Sequence, residues 1–158
     1  MEGEIDYNKR IYSTADFEQM GWHDIKIHAI SFNADEYELL FDIDYIIEWI
    51  EPKQNGTNYQ FLIAPATLVF NNVYDFNVNV DNLDFTIDYI IKENPRLPPN
   101  SAYLKGQVEY DWTIETINGQ ISFKSIGYIQ YIRADFVLLD RQEIGLRERG
   151  GISFETVR

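Results

Sequence analysis

The chain has 158 residues, no cysteine and a formal net charge of −13 at neutral pH. The absence of thiols excludes disulfides, thiolate metal sites and cysteine nucleophiles. The excess of carboxylates argues against nucleic acid or anionic lipid as a partner, because those associations depend on neutralising phosphate with lysine and arginine. The length suits a single domain, which we predict to span residues 1–158.

No segment of the sequence is typical of export or membrane insertion. The first ten residues are polar and partly acidic, whereas a secretory signal starts basic and continues apolar. The longest apolar stretches have the length of a strand, well short of the roughly 20 residues that cross a bilayer. We therefore expect no membrane contact and a cytoplasmic location.

The N-terminal part is predicted to contain one short helix. Residues up to Tyr12 show no clear period, which is compatible with a loop or a short edge strand. Ser13 and Asp16 have the spacing of a capping box, and Gly21 is placed to end the helix that they begin. From Asp24 to Phe32 the pattern changes to the alternation of a strand.

The stretch from Glu38 to Ile50 has the clearest alternation in the sequence and is predicted to pair with residues 24–32 as a hairpin. One face of the extended chain is wholly apolar: Leu39, Phe41, Ile43, Tyr45, Ile47 and Trp49. The other face mixes aliphatic side chains with four carboxylates: Glu38, Asp42, Asp44 and Glu48. We predict that the apolar face lies in the core and that the acidic face is exposed to solvent.

Proline residues and turn residues divide the segments that follow. Pro65 lies inside residues 59–69 and predicts two short strands there, because its imide nitrogen cannot donate to a sheet. Residues 76–81 and 83–91 alternate and predict a second hairpin. The proline-containing residues 94–101 predict a long loop between sheets.

The strongest turn signal is Asn118-Gly119, the preferred pair for a type I′ turn, which predicts a hairpin between residues 107–115 and 120–133. Residues 136–139 predict one more strand, and residues 140–146 a helical turn. Eight to ten short alternating strands with little helical periodicity favour an all-β fold. We predict an antiparallel β-sandwich or a partly closed barrel with one or two short helices.

The negative charge is concentrated in the first part of the chain. Residues 1–91 contain 17 acidic and 4 basic residues, whereas residues 92–158 contain 9 of each. The acidic face of residues 38–50 belongs to the first part, so we predict that Glu38, Asp42, Asp44 and Glu48 contact a basic protein partner. A merely solubilising surface is the alternative. Arg147-Glu148-Arg149 is either a solvated turn or a structural partner of the acidic part.

Two groups of side chains consist of residue types that occur in catalytic or metal sites. Asp42 and Asp44 share a strand face at about 7 Å, a separation that catalytic carboxylates can have, but a solvated pair persists there without a metal. His23, Asp24 and His28 are the place to look for a metal, yet no zinc motif supplies a further ligand. We therefore predict no catalytic residue, no metal and no cofactor.

Three stretches carry a resemblance to known proteins: Trp22-His23-Asp24 with Ile27-His28, Ala66-Thr67-Leu68-Val69-Phe70 with Asn72-Val73, and Arg149-Gly150-Gly151-Ile152-Ser153-Phe154. They resemble short bacterial proteins, some of which look like immunity proteins of polymorphic toxin systems. The resemblance implies an acidic cytosolic binding module, because many toxin domains are basic nucleases that an acidic face can occlude.

The expected function is therefore a non-enzymatic acidic protein-binding module, in its most specific form an immunity-type inhibitor that covers a basic partner. A small-ligand-binding β-barrel is the first alternative. An enzyme that uses Asp42, Asp44 and a histidine is the second.

Overall fold

The computed structural model describes residues 4–53, 56, 58–99 and 106–156. These residues form two antiparallel sheets and only short helices, which confirms the predicted all-β sandwich; neither sheet closes into a barrel within the described ranges. The strands are β1 (Ile11–Ser13), β2 (Ile27–Asn33), β3 (Glu38–Ile50), β4 (Gln60–Asn71), β5 (Tyr74–Val80), β6 (Ile87–Arg96), β7 (Glu109–Thr116), β8 (Gly119–Ser125), β9 (Gly127–Ile132) and β10 (Val137–Leu139). The helices are two 3₁₀ helices, Thr14–Gln19 and Ala34–Glu36, and the α-helix α1 (Leu146–Arg149).

The first sheet has the order β1-β9-β4-β3-β2, and β10 also pairs with β4. The second sheet has the order β5-β8-β7-β6. β2 and β3 form the predicted hairpin, β1 is an edge strand on β9, and the capping box of Ser13 and Asp16 begins the first 3₁₀ helix. No helix in the described ranges is long and apolar enough to cross a membrane.

The core lies between the two sheets and is densely aromatic. From the first sheet it receives the alternate residues Leu39, Phe41, Ile43 and Tyr45 of β3, all buried. Phe70 of β4 is fully buried and contacts Trp112 of β7 at a ring-centroid distance of 5.0 Å. Because side chains fill this space, the predicted apolar face of β3 is confirmed as far as Tyr45.

A β-bulge changes the face of the last residues of β3. The register with β4 shifts between Ile46 and Glu48, so that Trp49 lies opposite Phe61. Phe61 shares its face of β4 with Thr67, the residue opposite Asp42. The prediction that Trp49 faces the core is therefore wrong, since one inserted residue moves it to the other side of the sheet.

Pro65 does not interrupt its strand, which corrects the prediction of two short strands. Its carbonyl accepts from the Arg133 N–H at 2.9 Å, so its nitrogen points to the same edge. At that edge β9 ends at Ile132 and β10 begins at Val137. The proline therefore faces a gap between two partner strands, where no ladder donor is needed.

The predicted hairpin of residues 76–81 and 83–91 is wrong, because β5 and β6 are the opposite edges of the second sheet. The β7–β8 hairpin, which is confirmed, lies between them. Its turn is not type I′, since Asn118 has no positive φ. The Asn118 side chain instead donates to Asn82 and to the Asp84 carbonyl.

The C-terminal segment, defined as residues 140–156, crosses the outer face of the first sheet. The helical turn predicted at residues 140–146 occurs later, as α1. The loop predicted at residues 94–101 begins later too, because β6 continues through Pro95 to Arg96. Residues 100 and 101 lie outside the described residues.

Candidate functional site

Asp42 and Asp44 lie on the face of β3 that points away from the sandwich core. Both side chains are fully buried, because the C-terminal segment covers this face of the sheet. The prediction that these two carboxylates are exposed to solvent is therefore wrong. The cationic cover that we expected from a partner is supplied by the chain itself.

Arg149, on α1, occupies the space between the two carboxylates. Its Nη1 and Nη2 each donate to Asp42 at 2.7 Å, and its Nε donates to Asp44 at 2.9 Å. The two remaining N–H groups donate to the carbonyl oxygens of Gly151 and Ile43, at 2.9 and 3.1 Å. All five donors of the guanidinium are used, which explains how a side chain with no solvent exposure remains charged.

The carboxylates of Asp42 and Asp44 also accept several hydrogen bonds each. Asp42 accepts four hydrogen bonds, two from Arg149, one from Arg133 Nη2 at 3.0 Å and one from the Ser153 N–H at 3.0 Å. Asp44 accepts from His28 Nε2 at 2.6 Å and from the Ile144 N–H at 2.8 Å, besides Arg149. We call these five charged or titratable side chains the buried ion-pair cluster: His28, Asp42, Asp44, Arg133 and Arg149.

The electrostatics of the cluster favour the ionised form of Asp42. Burial by itself raises the pKa of this carboxyl, but the hydrogen bonds from Arg149 and Ser153 and the charges of Arg133 and Arg149 outweigh it, and the pKa is lowered. Of the two interpretations of residues 147–149, the structural pair with the acidic part is confirmed for Arg149. The cluster fastens the C-terminal segment to β3, and its carboxylates are not accessible to a partner in this conformation.

The two histidines are held in different surroundings. His28 is bound to Asp44 within the cluster, with a nearly buried side chain. His23 is exposed, and its Nδ1 donates to the Asp88 carbonyl at 3.2 Å. Within the described ranges, no three His, Cys, Asp or Glu side chains are arranged to hold a metal ion.

Glu38 and Glu48, the other two predicted contact residues, lie at opposite ends of β3. Each is half-buried and already accepts a hydrogen bond, Glu38 from Asn33 Nδ2 at 3.0 Å and Glu48 from the Tyr7 hydroxyl at 2.6 Å. The structure thus does not bring the four predicted carboxylates together on one open surface. Glu38 also lines a cleft of about 310 Å³, which lies between the first sheet and Phe154.

Four rings form a continuous row at the end of the sandwich where β3 ends. The Tyr59 and Trp49 ring centroids are 6.0 Å apart, those of Trp49 and His23 5.9 Å, and those of His23 and Tyr89 5.9 Å. The planes of His23 and Trp49 are inclined by only 21°. We call Tyr59, Trp49, His23 and Tyr89 the aromatic row.

The aromatic row is open to solvent, although aromatic side chains are normally buried. Trp49 is 40% exposed, Tyr59 43% and Tyr89 58%. A contiguous exposed patch of this kind marks an interaction surface more often than single exposed residues do. The row was not predicted, because its members come from four separate segments and because the bulge in β3 brings Trp49 to the surface.

Two carboxylates flank the middle of the aromatic row. Asp88 Oδ1 is 3.3 Å from His23 Nδ1, and Asp24 Oδ2 is 3.6 Å from His23 Nε2. Asp24 has a left-handed backbone (φ 63°), which Asp and Asn tolerate better than most residues. It also lines a groove of about 530 Å³, together with Asp84, Asp140 and Glu143.

Most lysine and arginine side chains of the described residues already pair with carboxylates of the chain, so few cations remain to neutralise the other surface carboxylates. Eight of the eleven Lys and Arg residues in the described ranges are ion-paired with carboxylates of the chain. Lys26 and Arg141, which also line the groove beside Asp24, are two of these, bound to Glu143 and Glu148. The end of the sandwich that carries the aromatic row is therefore both aromatic and acidic.

The fold defines the protein as an antiparallel β-sandwich. Comparison of the chain with protein-family models, with curated proteins and with solved structures finds no match.

Proposed function

We propose that this protein is a non-enzymatic binding module whose partner is a basic protein. The observation that carries the proposal is the exposed aromatic row with Asp24 and Asp88 beside it. Tyr and Trp are the residue types on which interfaces concentrate binding energy, since they bury a large area with few rotatable bonds. Carboxylates around such anchors select a partner of opposite charge and accelerate its association.

The proposed contact surface differs from the one expected from sequence. Asp42 and Asp44 serve the fold, whereas Trp49 and Tyr89 are available to a partner. Glu48 accepts from the Tyr7 hydroxyl and, as the strand neighbour of Trp49, points to the opposite face, so it is not part of the proposed surface. The net charge of −13 acts at longer range and steers a basic partner toward the protein.

An immunity-type inhibitor is the most specific form of this proposal. Such a protein acts by covering the basic surface of a toxin domain, which requires an acidic face and no catalytic residue. If a toxin gene adjoins the gene for this protein, its product is expected to form a stable complex with this chain. The aromatic row is expected to become protected from solvent in that complex.

The cleft beside Glu38 favours one alternative, a small-ligand-binding protein. Its floor contains Leu40, Val69 and Ile129 from three neighbouring strands, and Phe154 covers it. A ligand with an apolar body and a cationic group suits this composition. Binding there is expected to depend on Glu38 and not on Trp49, which separates it from the protein-binding proposal.

The proposal is tested by comparing two variants of equal net charge. In Asp24→Asn/Asp88→Asn the flanking carboxylates are neutralised, and Asn suits the left-handed backbone at residue 24. In the control, Asp35→Asn/Glu36→Gln, the changes lie beyond the other end of β3, roughly 40 Å away for a strand of this length. Binding of an octalysine peptide is measured by calorimetry at about 50 mM salt.

We expect the first variant to bind octalysine at least about fivefold more weakly than the control, and binding by the natural chain to weaken with salt. Equal loss in both variants would mean that the peptide responds to net charge alone, and the proposed surface would be wrong. No binding by the natural chain would also contradict the proposal.

A further inference from the structure

The middle of the aromatic row has a geometry suited to one kind of side chain. His23 lies between Trp49 and Tyr89, and its plane is inclined to theirs by 21° and 31°. His23 is therefore stacked on Trp49 and tilted against Tyr89. Trp49 and Tyr89, which flank His23, are 40% and 58% exposed, so part of each ring remains open to a further flat group.

The charges at this point favour a cation over a neutral group. Asp24 and Asp88 approach His23 from its two nitrogens, and their side chains are 33% and 41% exposed. Asp24 also accepts from Gln142 Nε2 at 2.8 Å through Oδ2, and its side chain stays partly open to solvent. A cation above the middle of the row thus has two carboxylates within reach.

We propose that the aromatic row is an arginine-binding site, at which a guanidinium of the basic partner stacks on the rings and pairs with Asp24 and Asp88. This inference rests on the proposed function. Guanidinium is planar, stacks on aromatic faces and presents donors in a fork that fits carboxylates, whereas ammonium is a compact point charge with stronger hydration. The site therefore prefers arginine to lysine.

The groove beside Asp24 extends the site. It is lined by four acidic residues, Asp24, Asp84, Asp140 and Glu143, and its two cations are already ion-paired. At the opposite end of the row, Lys53 and Tyr59 line the same surface depression. Glu51 and Asp140 line that depression as well, so Lys53 does not make this end of the row positive. The groove holds the larger group of carboxylates, so a basic segment of the partner is expected to run from Tyr89 and His23 into the groove.

The test compares octa-arginine with octalysine by titration calorimetry at about 50 mM salt. The natural chain is expected to bind octa-arginine about three- to tenfold more tightly. Trp49→Leu/Tyr89→Leu is expected to lose most of this preference, because the two flanking rings are lost while the carboxylates remain. Both positions are exposed, and if the double variant does not fold, Tyr89→Leu alone is used and must reduce the preference.

The outcomes separate this inference from the proposed function. Binding of both peptides with no preference for arginine, or a preference that is undiminished in the double variant, overturns the arginine site and leaves the binding module intact. No binding of either peptide overturns both. Saturable binding of cellohexaose that is indifferent to salt and lost in Trp49→Leu/Tyr89→Leu would make the row a sugar platform and overturn the arginine site.

Discussion

Replacement of Arg149 by methionine is expected to lower the free energy of unfolding by about 3–5 kcal/mol. Methionine retains much of the length and apolar volume of the side chain but removes all five donors. Asp42 and Asp44 then remain buried with their principal counter-charge gone. Removing one partner of a buried pair is costly because the remaining charge has lost its compensation.

The effect is measured by urea unfolding at neutral pH, with Arg147→Met as the matched control. Arg147 belongs to the same four-residue helix but is exposed, so its replacement is expected to change the stability by about 0.5 kcal/mol or less. Similar values for the two variants would show that the buried ion-pair cluster does not stabilise the fold.

Loss of stability in acid is the second large effect expected. Because the pKa of Asp42 is lowered in the folded protein, its contribution is present above the unfolded value of about 3.8 and is lost as the pH falls through the folded value. Protonation of Asp42 leaves Arg149 and Arg133 buried without their shared counter-ion. The protein is therefore expected to unfold cooperatively below about pH 4.

Urea unfolding at several pH values between 7 and 2 measures this dependence, with Asp42→Asn as the comparison. The variant is expected to start from a lower stability at neutral pH and to lose less on acidification, since it lacks the group whose proton uptake opposes folding. Parallel curves for the natural chain and the variant would contradict the assignment of the acid sensitivity to Asp42.

Local sequence patterns predicted the parts of the fold that depend on local interactions. The alternation of Leu39, Phe41, Ile43 and Tyr45 identified a core strand, and the capping box at Ser13 identified the first helix. Local patterns were a poorer guide to which strands pair. β5 and β6 have the pattern of a hairpin but are separated by the β7–β8 hairpin, and nothing in their own residues indicates this.

The bulge in β3 shows a second limit: sequence periodicity does not always predict which way a strand's side chains face. Up to Ile46 the alternation continues without a break, and only the pairing with β4 reveals that one residue is inserted before Glu48. That insertion places Trp49, predicted to be a core residue, in the exposed aromatic row. A strictly alternating pattern therefore does not establish that both ends of a strand face the same way.

The candidate site was the least predictable part because it depends on long-range contacts. Asp42 and Arg149 are 107 residues apart in the chain, and the sequence indicated only that residues 147–149 were one possible partner for the acidic part. Charge composition identified the first 91 residues as acidic but did not distinguish carboxylates that stabilise the fold from those at the surface. Burial makes that distinction: Asp42 and Asp44 are buried, so the proposed contact residues are Asp24 and Asp88.

The proposed role requires the aromatic row to attract cations, and collisional quenching of fluorescence measures this directly. Trp22 and Trp112 are buried, with 4% and 0% exposure, so quenching in water reports on Trp49. Caesium and iodide are compared at constant ionic strength near 0.1 M, with N-acetyltryptophanamide as the uncharged reference and Trp49→Phe as the control that removes the quenchable signal. We expect the caesium-to-iodide ratio of quenching constants to exceed that of the reference by about twofold or more, because carboxylates raise the local cation concentration. A ratio equal to or below the reference would contradict an acidic, cation-binding row.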